Sequence, residues 1–369
     1  MLEWKKLGEV ISVHTGSQLN RNDMLEQGDY PVINGGRTPS GYTNGPNEKG
    51  KSITISQGGE SAGYVNWMDC DFWAGAHCYV VECLDDTIQR YVYHFLKNSE
   101  HDLMASKQGA GIPGLNRKNL YKLNIPVPSI AEQTRIVGIL DTFTAAIDNL
   151  KQQIAQRRKQ YEHYRDQLLD LEGKERKDIH IWGEFCEMIK GNGVQKVDFV
   201  EEGVGCIHYG QIYTYYGAYT YSTNKFVSKE IFEKAKKASK GDIIMTDTSE
   251  NVEDICKSVA YLGEDDIAVS NHALIIKHDQ NPKFLSFSTQ TNSFFSQKRK
   301  VVVGVKVSGI KPDQLAKFII YLPSIEEQNR IVDQLDTFEQ SIHNLEEQLK
   351  LREKQYEYYR NKLLTFDEV

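Results

Sequence analysis

Residues 45–52 read GPNEKGKS and fit the phosphate-binding pattern G-x-x-x-x-G-K-[ST]. Such a loop aims backbone N–H groups and a helix N-terminus at phosphates, so it needs a buried strand before it and a helix after it. Here the polar run TPSGYTN precedes it, and ITISQGG, strand-like and then glycine, follows. The segment therefore reads as a surface turn, with a nucleotidase using it as the enzymatic rival. His77 and His272 sit in apolar, strand-like surroundings, where a satisfied core histidine is a plainer reading than a catalytic base. The run TDTSE (246–250) offers hydroxyls and acids, but no His or Lys lies close in sequence to make Ser249 a nucleophile. The patterns G-x-S-x-G, H-E-x-x-H and C-x-x-C do not occur, and no G-x-G-x-x-G follows a strand. Without any Pro-Pro pair, the Asp/Asn-Pro-Pro-aromatic strip of amino-methyltransferases is absent too. The six cysteines have no metal-ligand spacing, so neither a catalytic residue nor a metal site is assigned.

Other residues suit the reading of bases. The stretch HYGQIYTYY (208–216), with Tyr219 and Tyr221, interleaves aromatics and amides. Asn and Gln can form two hydrogen bonds to adenine in the major groove, as Arg and Lys can to guanine. Lys225, Lys229, Lys234, Lys236, Lys237 and Lys240 cluster as a phosphate-contacting face would. The rival is a solvated lysine face beside a tyrosine-rich sheet edge. The net charge of −7 does not advertise a nucleic-acid partner. Much of that excess lies at the end of the chain, where residues 323–369 carry 6 basic and 11 acidic side chains. No apolar run approaches the length of a membrane span, and the opening MLEWKK has no apolar core of a signal peptide. A cytoplasmic protein with reduced thiols is expected.

These residues are placed by a repeat. Residues 128–171 and 323–366 align without a gap at an offset of 195, with 25 of 44 positions identical. Nearer the start the offset is 175: LGEVISVHTG (7–16) matches WGEFCEMIKG (182–191), and PVINGG (31–36) falls on CIHYGQ (206–211). The second copy carries about 20 extra residues between positions 211 and 267. The near-invariant block predicts a helix of about 40 residues. Ser129-x-x-Glu132 and Ser324-x-x-Glu327 are capping boxes after prolines. Apolar residues then alternate at spacings of four and three: Ile136, Leu140, Phe143, Ile147, Leu150 and Ile154, matched by Ile331, Leu335, Phe338, Ile342, Leu345 and Leu349. A 3.5-residue repeat is a coiled-coil seam. Arg157 and Arg352 interrupt both seams, either snorkelling outward or marking register. Antiparallel pairing would relate the halves by a pseudo-two-fold axis and put the variable blocks at opposite ends of a rod; parallel pairing would put both at one end.

The variable blocks predict mixed β structure with little helix. SITIS (52–56), HCYVVE (77–82), DIIMT (242–246), AVSNHALIIK (268–277) and KVVVGVKV (300–307) are strand-like, with one helix near residues 89–98 and one near 229–240. The fold class is α+β, with boundaries at 1–128, 129–172, 173–322 and 323–369.

The duplicated PSIxEQxRIVxxLDTF…KQYExYRxxLL helix, in the order variable–helix–variable–helix, resembles the specificity subunit of type I restriction–modification enzymes over essentially the whole chain. The resemblance implies two tandem target-recognition domains, each reading half of a split double-stranded DNA target. It also implies that the two helices pair antiparallel as a ruler. Two methyltransferase subunits carrying S-adenosylmethionine would dock on this scaffold, and restriction subunits would bring ATP and Mg²⁺. The chain itself would hold no cofactor, do no chemistry, and bind DNA weakly when alone. Candidate base-contacting residues, all polar or aromatic in glycine-flanked loops, are Asn34, Arg37, Gln57, Lys107 and Gln108 in the first domain. In the second they are Tyr209, Gln211, Tyr213, Thr248, Asn271 and Lys298. Two rivals remain: a specificity chain whose partner fuses nuclease and methyltransferase, and a scaffold with no DNA partner.

Overall fold

A computed structural model describes residues 2–84, 87–106, 114–301 and 308–366. Both near-invariant blocks form uninterrupted 40-residue helices, Ile130–Leu169 and Ile325–Leu364. They start alike. Ser129 Oγ accepts from Glu132 N and Ser324 Oγ from Glu327 N, both at 3.4 Å, which satisfies a backbone donor of the first turn. The two glutamates fork onto Arg135 and Arg330 one turn along.

The chain divides into two compact units, residues 1–152 with 346–369 and residues 153–345, so each long helix contributes to both. In the first unit Ile136, Leu140 and Ile147 are buried together with Tyr356 and Leu364. Phe143 stacks on Tyr359 at 5.2 Å, and Lys151 reaches Glu353 at 3.5 Å. Rising numbers on one helix meet falling numbers on the other, so these segments run antiparallel. In the second unit Leu169, Ile331 and Leu335 are buried. There Tyr164 stacks on Phe338 at 5.2 Å and the Tyr161 hydroxyl donates to Glu339 at 3.2 Å, again antiparallel. The exchange is reciprocal, because Phe338 and Tyr164 are the repeat equivalents of Phe143 and Tyr359. Ile154 is buried, while Leu150, Ile342, Leu345 and Leu349 are half-buried. Arg157 and Arg352 each bond a glutamine one turn along their own helix, at 3.2 and 3.0 Å.

In each unit the first strand of the variable block closes on its last, beside the start of the following helix. Glu3–Lys6 pairs with Asn124–Val127, and Ile179–Ile181 with Ile319–Tyr321, both antiparallel. The first unit holds a four-stranded sheet in the order Ile11–Thr15, Cys78–Cys83, Ser52–Ser56, Val65–Met68. Beside it lies a three-stranded sheet, Gly41–Thr43, Tyr30–Ile33, Trp73–Ala74. The second unit expands both to five strands, and Ile243–Thr246, the middle strand of one of them, is buried along its whole length. A strand covered on both faces is apolar throughout, which is why IIMT does not alternate.

Strand register refines the repeat. Val32 faces Trp73 as Cys206 faces Ala268, so this part of the copies is offset by 174, not 175. Asn34 therefore corresponds to His208, and Gly35 to Tyr209. Ile53 faces Val81 as Ile243 faces Ile276, so residues 34–52 are matched by 208–242, where most of the extra chain lies.

Three expectations change. The helix near 229–240 stops at Lys234, because Lys236–Ala238 is recruited as an edge strand against Ile267–Val269. There is more helix than expected: Gln89–Asn98 forms as read, its counterpart is Pro282–Ser288, and Asn292–Val301 follows. Lys300 and Val301, read as strand, end that helix, and residues 302–307 lie outside the described residues. The GPNEKGKS segment runs straight into strand Ser52–Ser56 with no helix behind it, so the geometry a nucleotide loop requires is missing.

Candidate nucleic-acid interface

At one end of each variable block, loops converge on a turn that carries a histidine. In the first, Gln57 N donates to His77 O at 2.9 Å, His77 N to Asn34 Oδ1 at 3.4 Å and Gly75 N to Ile33 O at 2.8 Å. Ser56 Oγ bonds Gly35 O. In the second, Asp247 N donates to His272 O at 3.1 Å, Ser270 N to Ile207 O at 3.1 Å and Tyr209 N to Ser270 Oγ at 2.9 Å. Gly16 and Gly191, which recur in the sequence, lie under this turn. A Cβ on Gly16 would stand 2.2 Å from Ala74 O, and one on Gly191 2.4 Å from Ser270 O, so only glycine lets the chain pass at the ends of strands Ile11–Thr15 and Cys186–Lys190.

The frame gathers most of the candidate residues. Asn34 and Gln57 lie in it, and exposed Arg37 extends from it with its guanidinium 5.4 Å from the Tyr64 ring. Lys107 and Gln108 lie outside the described residues. In the second unit a cleft of about 470 Å³ is lined by Tyr209, Tyr213, Thr248, Asn251 and His272. A neighbouring cleft of about 390 Å³ is lined by Gln195, Lys196, His208 and Asn271, and Tyr209 and His272 border both. Three of these side chains are engaged locally. Gln211 Oε1 accepts from His208 N at 2.8 Å, the Tyr213 hydroxyl bonds Thr248 O, and Asn271 Oδ1 accepts from Gly193 N at 3.0 Å. Lys225, Lys229, Lys234 and Lys236 are exposed, Lys237 is half-buried, and Lys240 pairs with Glu264 at 2.6 Å.

Two readings are corrected. Lys298 is not a surface contact. It is buried at 5% exposure on the inward face of its helix with Phe294, and its ammonium donates to Glu253 O and Ile255 O at 3.0 and 2.8 Å. A lysine one turn from a buried phenylalanine shares its face. His77 and His272 are not core residues. Both stand in the turn before their strands, His77 exposed and the His272 side chain 53% exposed. The structure also gives TDTSE the histidine it lacks in sequence: His272 Nδ1 lies 3.3 Å from Thr248 Oγ1, which itself donates to buried Asp247 at 2.9 Å.

Residues that hold each recognition block on its helix escaped the reading of the sequence. Gln133 and Gln328, the Gln of PSIxEQ, are fully buried. Gln133 accepts from Ile88 N at 3.0 Å and donates to Pro128 O at 2.9 Å; Gln328 accepts from Asn281 N at 3.0 Å and donates to Pro323 O at 2.8 Å. The Asp of LDTF adds an ion pair. Asp141 takes Arg90 at 2.7 Å, and Asp336 takes Lys283 at 2.7 Å. In the first unit Asp141 also bonds His94 Nε2 at 2.8 Å, and His94 Nδ1 lies 3.1 Å from the Tyr356 hydroxyl. The carboxylate can only accept, so Nε2 carries the proton and Nδ1 accepts from the tyrosine.

Burial holds the His94 pKa below its ordinary value, outweighing the hydrogen bond to Asp141 that raises it. The unfolded chain takes up this proton near pH 6.5, while the folded chain resists it to lower pH. Stability from His94 is thus whole above pH 6.5 and is lost as pH falls through the folded pKa, by at most about 1.4 kcal/mol per pH unit. Urea unfolding at pH 7.0 and pH 5.5 is expected to show that loss, and His94→Phe to shrink it; Phe287 stands at the equivalent place. An equal pH dependence in both proteins would contradict the assignment.

All six cysteines are free, and burial pushes the thiols of Cys78, Cys83, Cys186, Cys206 and Cys256 up to about 12. Among the described residues no three His, Cys, Asp or Glu side chains group to hold a metal, and no helix is long and apolar enough to cross a membrane.

The family description "Type I restriction modification DNA specificity domain" matches residues 1–157 and 182–352. The putative type I restriction enzyme specificity subunit S.HindORF215P of Haemophilus influenzae is 28% identical over 392 residues, spanning 99% of this chain and 96% of its own. The EcoR124I/EcoR124II specificity subunit of Escherichia coli is 28% identical over 401 residues, spanning 99% and 94%. The crystal structure of the S subunit from M. genitalium covers 100% of this chain and 97% of its own, with a TM-score of 0.61 at 18% identity, and so shares the fold. With the family match repeated over both halves, each holding the same loop frame beside the same helix, the chain belongs to the type I restriction–modification DNA specificity subunits.

Proposed function

We propose that each recognition domain reads one half of a split double-stranded DNA target through the loop frame around His77 or His272, while the two long helices set the spacing between the halves. The observation that carries this reading is one frame built twice with different side chains in it: Asn34, Gly35 and Gln57 in the first copy stand where His208, Tyr209 and Asp247 stand in the second. An identical scaffold with different donors and acceptors suits two different base sequences. The chain is the non-catalytic member of its complex; methylation and cleavage belong to partner subunits. Two methyltransferase subunits would bring S-adenosylmethionine and take an adenine out of each half-site. Restriction subunits would bring ATP and Mg²⁺. With a net charge of −7 the chain leaves most phosphate contacts to those partners, so the whole complex binds far more tightly than the isolated chain. The test is the adenine methylome of a host with and without this gene, in which a split motif must depend on it.

A further inference from the structure

His77 and His272 recur at one turn while the side chains around them diverge. Ala76 and Asn271 precede them, and Gln57 and Asp247 bond their carbonyls from the facing loop. Packing does not require the imidazoles, since both are exposed. Backbone geometry does not require them either. His272 lies in the left-handed region at φ +64, whereas His77 is not among the positive-φ residues, and the hydrogen bond that recurs in both frames, from Gln57 N or Asp247 N, is taken by the histidine's backbone carbonyl. What remains for a side chain kept in both copies is a ligand feature that both copies meet. Two half-sites of different sequence share their sugar–phosphate backbone, which positions a protein without specifying bases.

The geometry points to His77 and His272 as positioning contacts, each donating an imidazole N–H to a backbone phosphate of its half-site, with base discrimination left to the diverged neighbours. In the second unit the Tyr209 ring packs against His272 at 5.3 Å and Thr248 Oγ1 lies 3.3 Å from Nδ1; with the Thr248 hydroxyl turned from Asp247 to donate to Nδ1, the imidazole proton is on Nε2, which is left to donate to a ligand. This assignment rests on the proposed function and divides labour within that same site.

The test uses the full complex with its methyltransferase subunits, carrying His77→Ala, His272→Ala, and the Gln and Lys variants of each. Binding is measured on a duplex with the wild-type methylome motif and on one with a half-site scrambled, across salt concentrations. Each Ala variant is expected to lose about three- to tenfold on both duplexes alike, and Gln, which keeps an N–H donor, to recover most of it. Each Lys variant is expected to bind both duplexes more tightly and to steepen the slope of log affinity against log salt by about 0.9; misfolding cannot produce such a gain. The methylated motif stays the same in every variant. A changed half-site sequence would overturn the assignment by making the histidine a base reader. Unchanged affinity in both Ala and Lys variants would overturn it by removing the contact. Loss of selective binding by the wild-type complex would instead refute the proposed function on which it rests.

Discussion

Four residues inserted after Gln152 and four after Glu347 are expected to leave both half-sites unchanged and to lengthen the unread spacer by about two base pairs. The two positions are repeat equivalents near the middle of helices Ile130–Leu169 and Ile325–Leu364. Four residues add about 6 Å to a helix at 1.5 Å per residue, close to two steps of roughly 3.4 Å along a DNA strand. They also add about one turn, so a seam spaced by fours and threes resumes after a local adjustment. The recognition loops, and the Gln and Asp ties beside the helix starts, are untouched. The effect on the native motif is close to all-or-none, because a reading head displaced by two base pairs meets the wrong edges. Methylome sequencing of the variant checks it. Altered half-sites with the native spacer would remove the helices from any role as a ruler.

Gln133→Leu is expected to cost the first unit about 2–4 kcal/mol, and Gln328→Leu a similar amount in the second. Both side chains are fully buried, and each satisfies a backbone N–H of its recognition block and the carbonyl of the proline before its own helix. Leucine fills much the same volume and bonds neither group. An unsatisfied buried backbone group costs about 1–3 kcal/mol, and two are stranded in each variant. Urea unfolding of each variant checks the figure, and a loss under about 1 kcal/mol would show that solvent or a neighbour takes over the bonds. The methylated motif should survive either change, since these buried glutamines tie a recognition domain to its helix and take no part in the loop frame.

The sequence made some features of this molecule plain and hid others, for physical reasons. The long helices were legible because a cap, a 3.5-residue seam and a near-copy 195 residues away all agree. Helix Gln89–Asn98 was legible from its amphipathic pattern, but Pro282–Ser288 was not, because it is buried almost all round and shows no polar face. The strand Lys236–Ala238 was hidden in a lysine-rich run whose pairing partner lies some thirty residues downstream. Within the candidate site, Asn34 and Gln57 in one unit and Tyr209, Thr248 and Asn271 in the other come together in one loop frame, whose tight turns need glycine at Gly16 and Gly191. Lys298 misled because charge alone does not reveal which face of a helix is inward. His77 and His272 were misread because their apolar neighbours belong to the strand that follows, while they themselves stand in the turn. The signal that identified them was recurrence. Gln133, Gln328, Asp141 and Asp336 carry the same signal inside the repeated block, where the helix by itself already accounts for the repetition.

Two different reading frames on one pair of helices, as proposed, specify a two-part address. Its most direct test is single-molecule methylome sequencing of a host carrying the intact gene, the deletion, and the deletion restored with the gene. One adenine-methylated motif of two unlike half-sites around an unread spacer is expected, lost in the deletion and regained on restoration. A methylome identical in all three strains, or a gene-dependent motif that is continuous rather than split, would contradict it.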